Sequence, residues 1–146
     1  MARIIRLTRY AAKGVPGETL GSARLLAGLG MEGDFYARGG ERQLSLLCLE
    51  TRQWMDRSSA IKGLCFGRYK ENALLDGIAP ADLGPGTRLK TGEALLEIAD
   101  APKACFPECS LFSSGQDCLL AGQYLFAKVI RGGFVKTGDP IEKEAP

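Results

Sequence analysis

Glycines divide most of the chain into short apolar runs, and this spacing limits the length of any helix or strand. The 146-residue sequence contains 19 glycines, which are spread along the chain rather than clustered. Glycine marks turns because it adopts backbone conformations that other residues avoid. Short strands separated by turns at intervals of about ten residues are typical of all-β domains. We therefore expect a mainly β protein, built as a compact barrel or sandwich.

Apolar periodicity and turn residues predict the individual elements. Leu49, Trp54 and Met55 lie among charged residues, which favours a short amphipathic helix at 48–60. Hairpins are predicted where two apolar runs flank a glycine turn. The remaining predictions are strands at 2–8 and 42–48, a strand or helical turn at 23–34, a hairpin at 86–100, and a second hairpin at 124–142 with turns at 131–133 and 137–140.

Length and composition predict one domain covering residues 1–146, without linkers or repeats. The chain is 45% apolar and 25% charged with a net charge of +2, so it offers no strong electrostatic attraction to nucleic acid or an acidic membrane. The small surplus of cations could still be concentrated in a pocket that holds a small anion. The N-terminus lacks the apolar core of a signal peptide, and no segment is long enough to span a bilayer. We therefore expect a cytoplasmic location.

The sequence contains no histidine. This removes the usual general base, the commonest metal ligand and the Cys–His catalytic pair. Any chemistry must therefore use Cys, Lys, Arg, Asp, Glu, Tyr or a bound cofactor.

Three of the five cysteines fall within sixteen residues, in KACFPECSLFSSGQDC at 103–118. Cys105, Cys109 and Cys118, with Cys65 upstream, could form a zinc or iron–sulfur site, although their spacing does not match common zinc motifs. An odd cysteine count and a reducing compartment disfavour a disulfide framework. For Cys48 and Cys65 we favour the role of small buried hydrophobic residues.

Cys105 has the sequence environment of a reactive thiol. Pro102 and Pro107 stiffen the segment on either side. Lys103 is expected to lower the pKa of the thiol and so to increase the thiolate that attacks electrophiles or binds soft metals. Cys109 is near enough in sequence to serve as a resolving thiol or a second ligand. An inert loop cysteine remains the alternative.

Two polar stretches are further candidates. RYKEN at 68–72 places Glu71 and Asn72 beside two cations, which suits the floor of a ligand pocket or a solvated loop. GMEGDFYARGGERQLSL at 30–46 combines glycines with Arg38 and Arg42. Exposed backbone N–H groups and fixed cations suit an anion such as phosphate, whereas a simple chain reversal explains the same composition.

In this order, these stretches resemble the MOSC domain, a family named after the C-terminal domain of molybdenum cofactor sulfurase. The resemblance covers nearly the whole chain, and KACFPEC…DC is similar to a branch of small stand-alone members with a Lys-x-Cys-x3-Cys motif. Phe106 departs from that branch, which often has His there. The matching segments are GMEGD (30–34), ERQLSL (41–46), KEN (70–72), GPGTRLKTGEALLEI (84–98), Cys105 and VIRGGFVKTGD (129–139).

The resemblance implies a β-barrel with a few short helices and a role with the molybdenum cofactor (molybdopterin) or its precursor, in sulfuration or delivery. It implies that Cys105 ligates molybdenum or carries sulfur. A sulfur donor such as a cysteine desulfurase, or a molybdoenzyme acceptor, would be the partner; family association also raises pyridoxal phosphate as a ligand. The implied cofactor-binding residues are Arg38, Arg42, Glu71 and Asn72, and the metal-binding candidates are Cys105, Cys109 and Cys118, with Lys103 assisting Cys105 on electrostatic grounds.

Two rival hypotheses belong to other classes. By analogy with other MOSC proteins, the chain could be a molybdenum-dependent reductase of N-hydroxylated compounds, although no flavin or nicotinamide motif is visible. Alternatively, Cys65, Cys105, Cys109 and Cys118 could hold zinc or an iron–sulfur cluster in a non-enzymatic module.

Overall fold

The computed structural model describes residues 2–57, 71–101 and 125–144. The described parts are mainly β, with one short α-helix. The strands are β1 (Arg3–Arg9), β2 (Glu18–Leu20), β3 (Ser22–Leu26), β4 (Gly30–Met31), β5 (Leu44–Cys48), β6 (Ala73–Asp76), β7 (Arg88–Thr91), β8 (Ala94–Ile98), β9 (Phe126–Arg131), β10 (Gly133–Lys136) and β11 (Ile141–Lys143); the helix is α1 (Leu49–Arg57), and a short 3-10 helix covers Pro80–Asp82.

Most strands form one large sheet in the order β11-β7-β8-β9-β5-β6-β1-β2. Its neighbours are antiparallel except β5 and β6, which run parallel. A parallel pair needs a crossover connection, and the chain leaves β5 directly into α1 before returning to β6. A second sheet contains β10, β3 and β4 in that order.

The large sheet is barrel-like because β1 also meets the strand at the opposite end. The Ile4 N–H donates to the Asp139 carbonyl oxygen at 3.0 Å, and the Gly138 N–H donates to the Ile4 carbonyl oxygen at 2.7 Å. The Ile141 N–H donates to the Ala2 carbonyl oxygen at 2.9 Å. These bonds form an isolated bridge rather than a full ladder. The first half of β1 therefore approaches β11, while its second half pairs with β2.

Side chains fill the interior between the two sheets. Ile4 and Leu7 of β1 and alternate residues of β5 point inward, and Leu25, Met31 and Val135 of the small sheet join them in one buried cluster. A void of about 10 Å³ remains, and its lining is apolar apart from Thr91. The interior is thus a packed core, so any ligand site must lie on the outside of the sheet or at its ends.

Several sequence predictions agree with these elements. The strands expected at 2–8 and 42–48 correspond to β1 and β5, and the hairpin expected at 86–100 is β7 and β8. The helix expected at 48–60 is present up to Arg57, beyond which the predicted range leaves the described residues. The ambiguous segment 23–34 contains strands.

The second predicted hairpin, at 124–142, is wrong. Strand β9 pairs with β5 and β8, whereas β10 pairs with β3 in the other sheet. The Gly132–Gly133 step carries the chain between sheets, and Gly133 has φ of 146°. A Cβ atom at Gly132 would lie 2.5 Å from the Leu25 carbonyl oxygen. Glycine is therefore needed here for a close backbone approach rather than for a hairpin turn.

Within the described residues, α1 is too short and too polar to cross a bilayer, and no other helix is a candidate span.

Replacing Thr91 with Val should stabilise the protein. The Thr91 side chain is 4% exposed, and its hydroxyl has no hydrogen-bond partner within the void that it lines. Valine has the same shape without the buried polar group, so we expect the free energy of unfolding to rise by about 1 kcal/mol. Denaturant unfolding measures this change. The exposed Thr19→Val on β2 is the control; a Thr91→Val variant no more stable than that control would contradict the prediction.

Candidate functional site

Asn72, the last residue before β6, connects three parts of the chain through its side-chain amide. Its Oδ1 accepts hydrogen bonds from the Ser45 N–H at 3.0 Å and the Ser45 hydroxyl at 3.2 Å. Its Nδ2 donates to the Thr8 carbonyl oxygen at 3.1 Å and to Asp34 Oδ1 at 3.2 Å. The side chain is thus fully engaged with β1, β5 and the 30–43 segment, and Asn72 is only 2% exposed.

Asp34 fixes the glycine-rich segment beside this amide. Its Oδ1 accepts from the Tyr10 N–H at 2.8 Å, and its Oδ2 accepts from the Tyr36 N–H at 3.1 Å. The Phe35 N–H donates to the Tyr10 carbonyl oxygen at 2.7 Å. A buried carboxylate that receives backbone N–H groups holds a turn in one conformation, so residues 34–36 are tied to the end of β1.

Glu71 lies between two arginines from different elements. Its Oε1 accepts from Arg6 Nη2 of β1 at 2.6 Å, and its Oε2 accepts from Arg52 Nη2 of α1 at 2.9 Å. The Glu71 side chain is 5% exposed, against 17% for Arg52 and 44% for Arg6. Two cations therefore share one buried anion, and the cluster reaches solvent through Arg6.

Tyr10 adds a buried hydroxyl to the same cluster. Its O–H donates to the Glu71 carbonyl oxygen at 3.4 Å. Burial, and next the Glu71 carboxylate, raise the pKa of Tyr10 to about 12. The phenol therefore stays protonated at neutral pH and serves as a hydrogen-bond donor rather than as a base.

Arg38 and Arg42 lie at the surface and each stacks on an aromatic ring. The Arg38 guanidinium is 4.1 Å from the centre of the Phe35 ring, and its Nε donates to the Phe35 carbonyl oxygen at 3.0 Å. The Arg42 guanidinium is 4.7 Å from the centre of the Phe126 ring. Stacking fixes the plane of a guanidinium while leaving its other face and N–H edge accessible.

Among the predicted site residues, Glu71, Asn72, Arg38 and Arg42 are described, whereas Lys103 and the candidate cysteines are outside the described residues. Glu71 and Asn72 are adjacent, and Arg38 connects to them through Phe35 and Tyr10. The described part of the chain contains no group of three His, Cys, Asp or Glu side chains arranged to hold a metal. The cysteines left outside the described ranges are Cys65, Cys105, Cys109 and Cys118.

Cys48 is a small buried core residue, as predicted. It is 0% exposed at the end of β5. Burial, then the Glu50 and Asp82 carboxylates, raise the pKa of its thiol to about 12. A protonated, enclosed thiol is a poor nucleophile and a poor metal ligand.

Sequence reasoning missed Arg6, Arg52 and Tyr10, which surround Glu71. Arg6 belongs to an N-terminal run of basic and apolar residues, RIIRLTR. The basic residues of this run could have been recognised as outward-facing candidates for a site. A bulge between Ile4 and Arg6 shifts the register with β6 and so obscures the simple alternation. Arg52 carried no signal, because a charged residue on a short helix is usually solvated.

No family model matches the chain, and no curated protein matches it. Solved structures do match. A hypothetical protein has a TM-score of 0.71 at 22% identity, covering 100% of this chain and 70% of its own. YiiM from Escherichia coli has a TM-score of 0.65 at 21% identity, covering 99% and 70% respectively. YuaD from Bacillus subtilis has a TM-score of 0.62 at 19% identity, covering 97% and 94%.

YiiM and YuaD are MOSC-domain proteins. At these identities the likeness concerns the fold, and it extends over nearly all of this chain. The protein therefore shares the fold of these proteins. The mainly β, barrel-like architecture expected from the resemblance agrees with this, although the described residues contain a single α-helix and no fully closed barrel.

Asn72→Asp should destabilise the protein at neutral pH by about 3 kcal/mol or more. The new carboxylate would face the Thr8 carbonyl and the Asp34 carboxylate without a donor, leaving buried acceptors opposed. Chemical denaturation measures the change. Gln53→Glu makes the same amide-to-acid exchange at an exposed position of α1 and should change stability little. Equal effects of the two substitutions would contradict the role of Asn72.

The free energy of unfolding should fall as the pH rises from about 9 towards 12. The pKa values of Cys48 and Tyr10 are both about 12 in the folded protein, against ordinary values of 9.0 and 10.0. The unfolded chain therefore loses these protons first, so stability is complete below the ordinary values and declines above them. Each group contributes a slope of up to about 1.4 kcal/mol per pH unit.

Denaturant unfolding between about pH 8 and pH 11 tests this sign and slope. Cys48→Ala removes the group that titrates first, so the decline should begin near pH 10 in that variant. An unchanged slope between pH 9 and 10 would show that the Cys48 proton does not stabilise the fold.

Proposed function

We propose that this protein binds the molybdenum cofactor or its precursor, and that Cys105 serves as a metal ligand or a sulfur carrier in cofactor sulfuration or delivery. The proposal applies the family resemblance to a chain whose fold matches MOSC proteins. Its remaining support comes from how the described residues are arranged around β5.

Adjacent residues of β5 bond to Asn72 and to Leu125, and this observation supports the proposal. The Asn72 N–H donates to the Ser45 carbonyl oxygen at 2.8 Å. The next residue, Leu46, donates its N–H to the carbonyl oxygen of Leu125 at 2.7 Å, and Leu125 follows the cysteine-bearing segment 102–124. Asn72 and Leu125 therefore lie on opposite sides of a single strand.

The charges of the described residues fit an anionic cofactor with a phosphate group. Arg6 reaches solvent from its ion pair with Glu71. Arg38 and Arg42 present stacked guanidiniums on the segment that Asp34 ties to β1. Guanidinium groups bind phosphate through paired N–H donors, so these residues would hold the cofactor by its anionic end. When bound, the cofactor would supply the redox chemistry.

The chain's own chemistry would then fall to Cys105. As a sulfur carrier, the Cys105 thiolate attacks the outer sulfur of a donor persulfide. A new S–S bond forms on Cys105, the donor S–S bond breaks, and the donor leaves as a thiolate, with no net oxidation or reduction. Lys103 would favour the thiolate. A cysteine desulfurase is the expected kind of donor, and a molybdoenzyme or its cofactor is the expected acceptor.

Cys105→Ser should abolish sulfur loading or molybdenum retention. Protein purified without oxygen is assayed for molybdenum, for pterin by oxidised-pterin fluorescence, and for persulfide by mass spectrometry. Cys48→Ala is the matched control, because Cys48 is an enclosed thiol with a raised pKa. Molybdenum and pterin, or a persulfide, should be present in the wild type and the control and absent from Cys105→Ser. Full retention in Cys105→Ser would exclude the proposed role.

The same measurements separate the rival hypotheses. Stoichiometric zinc or iron without pterin would instead favour a site made by Cys65, Cys105, Cys109 and Cys118, which a chelator would unfold. Reduction of a hydroxylamine with an added electron donor would favour the molybdenum-dependent reductase. Either result would replace the carrier role.

A further inference from the structure

We propose that Arg6 is an oxyanion-binding residue of this site and that Glu71 is the positioning residue that aims it. The inference rests on the proposed function for the location of the site, and it names two roles within it. Glu71 would then support the ligand without contacting it. The ligand chemistry is a phosphate group, either free or at the end of a cofactor.

Both oxygens of the Glu71 carboxylate are already occupied. Oε1 receives Arg6 Nη2 at 2.6 Å, and Oε2 receives Arg52 Nη2 at 2.9 Å. An ionised carboxylate only accepts hydrogen bonds and would repel an anionic ligand. A residue buried in this way acts through the cations that it holds, and those cations come from β1 and from α1.

Arg6 is the member of the cluster that reaches solvent. Its side chain is 44% exposed, whereas those of Arg52 and Glu71 are 17% and 5% exposed. Within the described ranges, the hydrogen bonds of Arg6 go to Glu71 through Nη2. Its Nε and Nη1 donors therefore remain for solvent or a ligand, and they lie on a guanidinium whose position a short, charge-assisted bond has already fixed.

A phosphate group matches this arrangement in geometry. The Arg6 guanidinium reaches solvent with Nε and Nη1 donors that Glu71 does not use. A guanidinium that is held in place loses less side-chain entropy on binding than a free surface arginine. The site also adjoins Asn72, whose N–H bonds to the Ser45 carbonyl oxygen of β5. Arg6 would thus anchor the anionic end of a ligand beside the Glu71–Asn72 pair.

Titration with inorganic phosphate, followed by calorimetry, tests the role of Arg6. We expect Arg6→Ala to weaken binding by about tenfold or more, the usual effect of losing a charge-assisted hydrogen bond. Arg6→Lys retains the charge but loses the paired N–H donors of the guanidinium, so its affinity for phosphate should lie between those of Arg6→Ala and the wild type. The matched control is Arg88→Ala, because Arg88 is also 44% exposed and donates to Glu97 at 3.1 Å.

The control removes the same net charge and a similar ion pair, and it should bind phosphate within about twofold of the wild type. Equal binding by Arg6→Ala and Arg88→Ala would overturn the proposal, as would a wild-type protein that binds no phosphate. Displacement of phosphate by released molybdopterin would assign the site to the cofactor. Phosphate that resists displacement would indicate a site for a free oxyanion.

Glu71→Gln tests the positioning role, because two physical effects predict opposite results. Removing a negative charge should by itself tighten phosphate binding. Releasing Arg6 from its fixed position should weaken it, and we expect this effect to prevail by several-fold in a variant that still unfolds cooperatively. Tighter binding would overturn the role of Glu71. Because inorganic phosphate is the probe, these results do not depend on whether Cys105 carries sulfur or binds molybdenum.

Discussion

The side-chain amide of Asn72 organises the region that we assign to function. Two strands and a glycine-rich segment meet at this side chain, and each forms a hydrogen bond with it. No other side chain at this position could form all of these bonds. Asparagine suits this position because one planar group both donates and accepts. The chain has a single asparagine, and it lies at this junction. Because Asn72 is held in place, the backbone of the adjacent Glu71 is also fixed. The Glu71 carboxylate can therefore pair with Arg6 of β1 and Arg52 of α1.

Buried and exposed charges have different tasks in this arrangement. The enclosed carboxylate of Glu71 requires partners, because an unpaired charge in such a setting is costly. Arg6 and Arg52 both meet that requirement, and the Arg6 side chain also reaches the surface. The four residues predicted to bind the cofactor thus differ in exposure. Asn72 and Glu71 are buried, so under the proposed function they would support the site. Arg38 and Arg42 are exposed, so they would be able to contact the ligand.

Local patterns predicted the elements better than they predicted the pairing of strands. Strands β1 and β5 could be identified because short apolar runs bounded by turn residues are typical of strands. The hairpin expected at 124–142 could not be distinguished from a crossing between sheets, since both place glycines between apolar runs. Arg52 could not be assigned to Glu71, because their meeting depends on the return path from α1 to β6. Glu71 and Asn72 were singled out as candidate cofactor-binding residues, but their burial could be seen only in the tertiary structure.

The meeting of β1 with residues 138–141 has a consequence for how the protein folds. The first strand joins partners separated from it by about the full length of the domain, so this contact closes a very long loop. Such contacts form late and slow folding, because chain entropy is lost before they contribute. During synthesis, β1 must wait for residue 141 to emerge from the ribosome. Until then, the edge facing β11 stays open and offers unpaired backbone groups to chaperones or to other nascent chains.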